Sequence, residues 1–181
     1  MPDSTLPIVP QSASAPKSSA LERQLAAQRA RRPADPLLSL VVPVFNEEES
    51  IEIFLTTVGP FLERAGLRFE IVFVNDGSRD DTLACLLDSS RRDARIRVVN
   101  LSRNFGKEAA LTAGIDHARG DILIPMDIDL QDPPDLFVPF IERWREGYDI
   151  VYGVRQLRAW DTMSKRLSAS WFYWADRKSV V

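Results

Sequence analysis

Cysteine and histidine are almost missing from this chain. The single cysteine, Cys85, excludes an internal disulfide framework and fits a reducing compartment. It lies among apolar residues in a predicted helix, where it reads as a small core residue rather than a nucleophile. The single histidine, His117, stands near a predicted helix end and reads as a satisfied surface or capping residue. A histidine-built metal centre is therefore not expected. No apolar run is long enough to span a bilayer, and no secretory apolar segment stands near the start. Neither a GxGxxG nor a GxxxxGK[ST] loop occurs, which disfavours a dinucleotide or P-loop site. Internal repeats are absent as well. The net charge of −3 gives no general attraction to nucleic acid, so no nucleic-acid partner is expected.

What remains is the composition of an ordinary globular protein, 181 residues with 45% hydrophobic and 27% charged, enough for one domain with a sizeable core. Residues 1–36 differ from the rest. Their Pro-, Ser- and Ala-rich start cannot build a core and reads as a disordered tail, with a short helix over Ala20–Arg32 inside it. From Leu37 the pattern turns regular. Strands are predicted at Leu38–Val44, Phe69–Val74, Ile96–Asn100, Ile122–Met126 and Asp149–Tyr152. Helices are predicted from Asn46 to a stop at Gly66, over Asp80–Arg91, Glu108–Ala118 and Leu136–Glu146. Glu47, Glu48 and Glu49 would fill the first turn of the first of these, and Ser78 with Asp81 resembles a capping box. Strands alternating with helices at this spacing predict βαβ crossovers: an α/β fold, a mostly parallel sheet with helices on both faces.

In such a sheet the ligand sits beyond the carboxyl ends of the strands, and every unusual cluster falls there. Asn46-Glu47 follows the first strand, Asp76-Gly77-Ser78 the second, Ser102–Lys107 the third, and Asp127–Gln131 the fourth. Asp127, Asp129 and Asp132 crowd one short turn. Like charges this close disfavour each other, so either a divalent cation with oxygen ligands (magnesium or manganese) joins them, or they form a solvated acidic turn with Asp132 capping the next helix. Asp76 is placed to accept hydrogen bonds from a base or ribose. Arg103, Asn104 and Lys107, around Gly106, form a basic loop suited to a diphosphate or else a solvated helix start. Arg155 and Arg158 extend the cationic reach.

Four blocks carry a resemblance: Val42-Pro43-Val44-Phe45-Asn46-Glu47-Glu48, Val74-Asn75-Asp76-Gly77-Ser78, Leu101-Ser102-Arg103-Asn104-Phe105-Gly106-Lys107-Glu108, and Met126-Asp127-Ile128-Asp129-Leu130-Gln131-Asp132-Pro133-Pro134. In order and spacing the chain resembles family 2 glycosyltransferases. More narrowly it resembles the polyprenyl-phosphate sugar transferases, the dolichol-phosphate mannose synthase and bactoprenol glucosyltransferase types. The resemblance implies a GT-A (Rossmann-like) fold over residues 37–181 and inverting sugar transfer from a nucleotide sugar to a polyprenyl phosphate. UDP-glucose is the first choice of donor. It also implies Mg2+ or Mn2+ held by Asp127 and Asp129 with Gln131 assisting. Pro43, Asn46, Glu47 and Asp76 would line the nucleotide pocket with Arg103, Lys107 and Asp127. Asp129 and Arg155 would be the catalytic pair, and Arg155, Arg166 and Ser170 would hold the lipid phosphate. Ile128 stands where the family carries a smaller residue, and its bulk is expected beside the nucleotide.

If Asp161–Lys178 is helical, Met163, Leu167, Trp171 and Trp174 share one stripe flanked by Arg166, Ser170 and Arg177, which suits either the bilayer interface or the domain core. The expected setting is the cytoplasmic face of the membrane, with a homo-oligomer or a membrane partner subunit left open. The family continues into a further acceptor-side block and this subgroup into membrane helices, so the resemblance implies a chain cut short at its carboxyl end. A non-lipid acceptor and a non-catalytic nucleotide-sugar-binding domain are the alternative readings.

Overall fold

A computed structural model of the protein describes residues 19–153. Its elements are helix α1 (Ser19–Arg31), strand β1 (Leu37–Val44), α2 (Ser50–Arg64), β2 (Arg68–Asn75), α3 (Thr82–Arg92), β3 (Ile96–Asn100), α4 (Lys107–His117), β4 (Ile122–Pro125), a 3-10 turn (Pro134–Leu136) and α5 (Phe137–Arg145). Among the described residues the strands form one sheet in the order β3-β2-β1-β4, and every pairing is parallel. The order reverses between β1 and β4, which makes their carboxyl ends a switch point where such sheets take ligands.

Alternation along the strands sorts the core onto two faces. Leu38, Leu40, Val42 and Val44 of β1 and Phe69, Ile71 and Phe73 of β2 face one side. There they pack with Ile51, Phe54, Val58 and Leu62 of α2, Leu86 of α3, and Phe137, Ile141 and Trp144 of α5. Phe54 meets Phe73 edge-on at 5.8 Å between centroids, and burying rings of this size contributes about 2–3 kcal/mol each. On the other face Val41 and Val74 meet Ala110 of α4. Gly114 lets α4 lie close, since a Cβ there would collide with side-chain atoms of Val41 and Val74.

Several expectations are corrected. The first α/β helix begins at Ser50 rather than Asn46. Asn46 takes a left-handed φ of 56°, and its side chain bonds to another loop instead of capping a helix. The Ser78–Asp81 capping box does not form, and Asp81 makes no side-chain cap bond. The Ser78 hydroxyl instead accepts the Asn46 N–H at 2.9 Å. Asp149–Tyr152 forms no strand among the described residues. Ile150 and Tyr152 are 83% and 78% exposed, so no packing fixes an extended ladder there.

The short helix expected near the start is present as α1. Arg32 beyond it donates to the Tyr148 carbonyl at 3.0 Å and to Asp149 Oδ1 at 2.9 Å, and its guanidinium stacks 4.4 Å from the Trp144 ring centroid. No helix among the described residues is long and apolar enough to cross a membrane. Arg155, Arg158, Arg166, Ser170 and the aromatic stripe lie outside the described residues.

Candidate active site at the carboxyl ends of the strands

The site begins with a proline. β1 and β4 pair from Leu38↔Ile122 to Val41↔Pro125, and the last bond between them runs from the Met126 N–H to the Val41 carbonyl at 3.0 Å. Pro43, two residues further, faces the same neighbour and has no N–H to continue the ladder. Beyond this point the two strands part. An open cleft of about 320 Å³ lies there, lined among others by Pro43, Phe45, Glu47, Asp76, Lys107, Asp127 and Asp129.

The loops around the cleft are tied to one another as well as to the helices they lead into. The Arg79 N–H donates to Asn46 Oδ1 at 2.9 Å, the Glu47 N–H to Thr82 Oγ1 at 2.8 Å, and the Asp81 N–H to Glu48 Oε2 at 2.7 Å. This crossing explains why the acidic run after β1 is a loop and not a first helical turn. Gly77 completes the fit. Its φ is 67°, and a Cβ would run into the backbone of Arg103 and Asn104, so the loop after β2 lies directly on the loop after β3.

Asp76 is 3% exposed and fixes the basic loop. One carboxylate oxygen accepts the Phe105 N–H at 2.7 Å and the other the Gly106 N–H at 2.9 Å. These amides, just before α4, are therefore taken by Asp76. Gly106 has a φ of 95°, which suits glycine at the turn into α4, and it lines the cleft. Lys107 then opens α4, and its Nζ meets Asp127 Oδ2 at 2.6 Å. That hydrogen bond holds the Lys107 ammonium above its ordinary pKa, with further attraction from Asp127, Asp129 and Glu108.

Asp129 follows on the same turn. Its Oδ1 accepts the Gln131 N–H at 3.2 Å, around Leu130 in a left-handed φ of 59°. A branched side chain in that region costs about 1–2 kcal/mol, which the packing of Leu130 against the core offsets. Ile128 is 7% exposed and belongs to the main core. It also contributes to the cleft wall.

Six of the residues expected at the site, Pro43, Glu47, Asp76, Lys107, Asp127 and Asp129, line one cleft. Asn46, Arg103 and Gln131 are not among its lining residues. Asn46 braces the neighbouring loop, and Gln131 offers its N–H to Asp129. Arg103 lies over its own loop's Phe105, 4.6 Å from the ring centroid. Phe45, 41% exposed on the rim, was not singled out; its signal is an aromatic directly after the apolar strand. Among the described residues no three His, Cys, Asp or Glu side chains gather as a preformed metal site. Asp127 and Asp129 both line the cleft, and the Lys107 ammonium is bound to the first of them. This oxygen-only donor pair fits a hard divalent cation that completes its shell with water and phosphate oxygens.

A switch-point cleft lined by Asp127, Asp129 and Lys107 defines the class: a parallel α/β domain with a polar cleft at the carboxyl ends of its strands. The comparisons with known proteins narrow it. The family model for glycosyl transferase family 2 matches residues 39–179, and the chain belongs to that family. A prophage bactoprenol glucosyl transferase homolog of Escherichia coli is 49% identical over 136 residues, 75% of this chain and 44% of the relative. An uncharacterized glycosyltransferase of Synechocystis is 48% identical over 136 residues, 75% of this chain and 43% of the relative. The chain thus spans less than half the length of these curated relatives. Among solved structures, glucosyl-3-phosphoglycerate synthase of Mycobacterium tuberculosis in complex with UDP aligns with a TM-score of 0.53 and 29% identity, over 81% of this chain and 52% of that one. The fold is that of a GT-A glycosyltransferase domain.

Proposed function

We propose that this protein transfers a sugar, with UDP-glucose as first choice of donor, to a polyprenyl phosphate at the cytoplasmic face of the membrane, with inversion and with Mg2+ or Mn2+. The observation that carries this reading is the facing of Asp127 and Asp129 against Lys107 across one cleft. The lipid acceptor is supported by the relatives named bactoprenol glucosyl transferase, one of them from Shigella phage SfV at 48% identity.

In this reading Asp127 and Asp129 would hold the divalent cation, whose chemistry would be to neutralise charge on a diphosphate. Pro43, Glu47 and Asp76 shape the nucleotide side, and Lys107 with the loop that Arg103 opens supplies positive charge. A phosphate monoester with a second pKa of about 6 is largely dianionic at neutral pH, so no base has to remove a proton from it. One of its oxygens forms a bond to the anomeric carbon from the face opposite the nucleotide. The bond from that carbon to the diphosphate oxygen breaks, and UDP leaves with the electron pair. Arg155, Arg166 and Ser170 are proposed to hold the acceptor phosphate.

A second reading, a non-lipid acceptor, is favoured by the likeness to a structure named for glucosyl-3-phosphoglycerate. The test is a transfer assay with labelled UDP-glucose and Mn2+, offering polyprenyl phosphate or 3-phosphoglycerate. A labelled lipid product is expected. A phosphoglycerate product would support the second reading. Metal-dependent UDP binding without transfer to either would overturn the catalytic reading in favour of a binding domain.

A further inference from the structure

The nucleotide-sugar reading leaves one contact unexplained: the cleft's ammonium is bound to a carboxylate assigned to the metal. Lys107 Nζ and Asp127 Oδ2 are 2.6 Å apart with both side chains substantially exposed. The contact does not arise from a lack of alternatives in solvent. Asp76 fixes the loop leading into α4 by accepting the N–H groups of Phe105 and Gly106, and this places Lys107 at the first turn of α4, opposite β4's acidic turn. The same fixation takes those two amides out of play, which leaves Lys107 as the loop's charged group facing the cleft. Asp129, on the same wall, adds to its attraction.

We infer that Lys107 is an exchangeable counter-ion. With the cleft empty of donor its ammonium neutralises Asp127, and when a metal–diphosphate enters it leaves Asp127 to the metal and moves to the diphosphate. This inference rests on the donor-site reading and assigns it a binding order. A divalent cation arriving alone must take a carboxylate from an ammonium that then has no anion and stands beside a second positive charge. A diphosphate arriving with the cation supplies that anion. Metal and nucleotide therefore bind with positive coupling, and the exchange at Lys107 adds to the part that direct ligation of the metal by phosphate oxygens supplies. The exposure of the pair permits the exchange, because neither charge has to be buried alone during it.

The test measures Mn2+ binding by calorimetry, and by the electron-spin-resonance signal of free Mn2+, with and without UDP. The full chain is compared as wild type, Lys107→Met and Lys107→Arg. Wild type should bind Mn2+ weakly alone and more tightly with UDP, by a factor in the range of about 5–150 that linked sites show. Lys107→Met should bind Mn2+ alone more tightly than wild type, with the enhancement by UDP reduced to the part that direct coordination of the metal by phosphate oxygens supplies. Lys107→Arg should retain the enhancement. If wild type shows the coupling and Lys107→Met shows it undiminished, the exchange is refuted while the donor-site reading stands. If wild type binds neither Mn2+ nor UDP, singly or together, both are refuted.

Discussion

The two ends of the sheet use the same chemical parts in opposite ways. At the amino ends Glu70 accepts the Ser39 hydroxyl at 2.6 Å, the Arg119 N–H at 2.7 Å and Arg97 Nη1 at 3.1 Å. Ser39 Oγ in turn accepts the Gly120 N–H at 2.8 Å, and Arg97 also reaches the His117 carbonyl at 2.7 Å. Glu70 is 6% exposed and Ser39 fully buried. At the carboxyl ends Asp127 has a lysine for a partner, and both stand in solvent. A carboxylate, a cation and backbone amides occur at each end. The difference is exchangeability. Ser39 and the Arg119 amide are held by the backbone, and Arg97 is pinned by the His117 carbonyl, so the cluster closes the turn between α4 and β4. The Asp127 partner is the tip of a flexible chain that an incoming ion can displace. Charge at a sheet end is therefore a poor marker of a ligand site until the freedom of its partners is known.

Breaking the closed end should have the largest effect on stability. Glu70→Ala leaves Ser39, Arg119 and Arg97 without their shared acceptor and should cost about 3 kcal/mol in denaturant unfolding. Metal and nucleotide binding by the remaining folded protein should be unchanged. A cost below that of an ordinary surface substitution would show the cluster to be as exchangeable as the rim. At the open end, Gly77→Ala should cost about 2 kcal/mol, because an alanine must take a left-handed φ and push on the Arg103 backbone. Unlike Glu70→Ala, it should also weaken UDP binding by displacing the loop that carries Lys107.

The smallest effect is in pH. Burial raises the Glu70 pKa, but the bonds from Ser39, the Arg119 amide and Arg97 outweigh it and hold the carboxyl below the ordinary glutamate range. The folded state thus favours the ionised form. Its contribution is complete above the unfolded pKa of about 4.3 and is lost as pH falls through the folded value. Wild-type stability should therefore drop on acidification below that point more steeply than the stability of Glu70→Gln. Parallel curves for the two would place the acid sensitivity elsewhere.

Much of this organisation is legible in the chain. The four strands, α3, α4, α5 and the acidic turn after β4 follow from apolar runs, glycine stops and the gathering of aspartates. Contacts between distant loops are not legible. Asn46 to Glu49 carry the local marks of a helix start, yet their polar groups are taken by Ser78, Arg79, Asp81 and Thr82, and a local pattern cannot register partners some thirty residues away. Asp76 lines the cleft as its position after β2 suggests, but the backbone amides that its two oxygens accept come from the loop after β3, and nothing local to Asp76 announces them. Ile128 both lines the cleft and packs in the main core, and the second role has no mark in the local sequence. The segment Asp149–Tyr152 has the composition of a strand, but among the described residues it pairs with none. The Ser39–Glu70 cluster passed unnoticed because a serine and a glutamate inside apolar strands carry no signal until the strands are aligned, Ser39 against Glu70.

The most direct test of the rim as a metal–diphosphate site is a calorimetric titration of UDP in Mn2+ and again in EDTA, with wild type and Asp129→Asn. The account predicts that wild type binds UDP in Mn2+ and loses that binding in EDTA, and that Asp129→Asn binds in neither. Undiminished affinity in Asp129→Asn would contradict it.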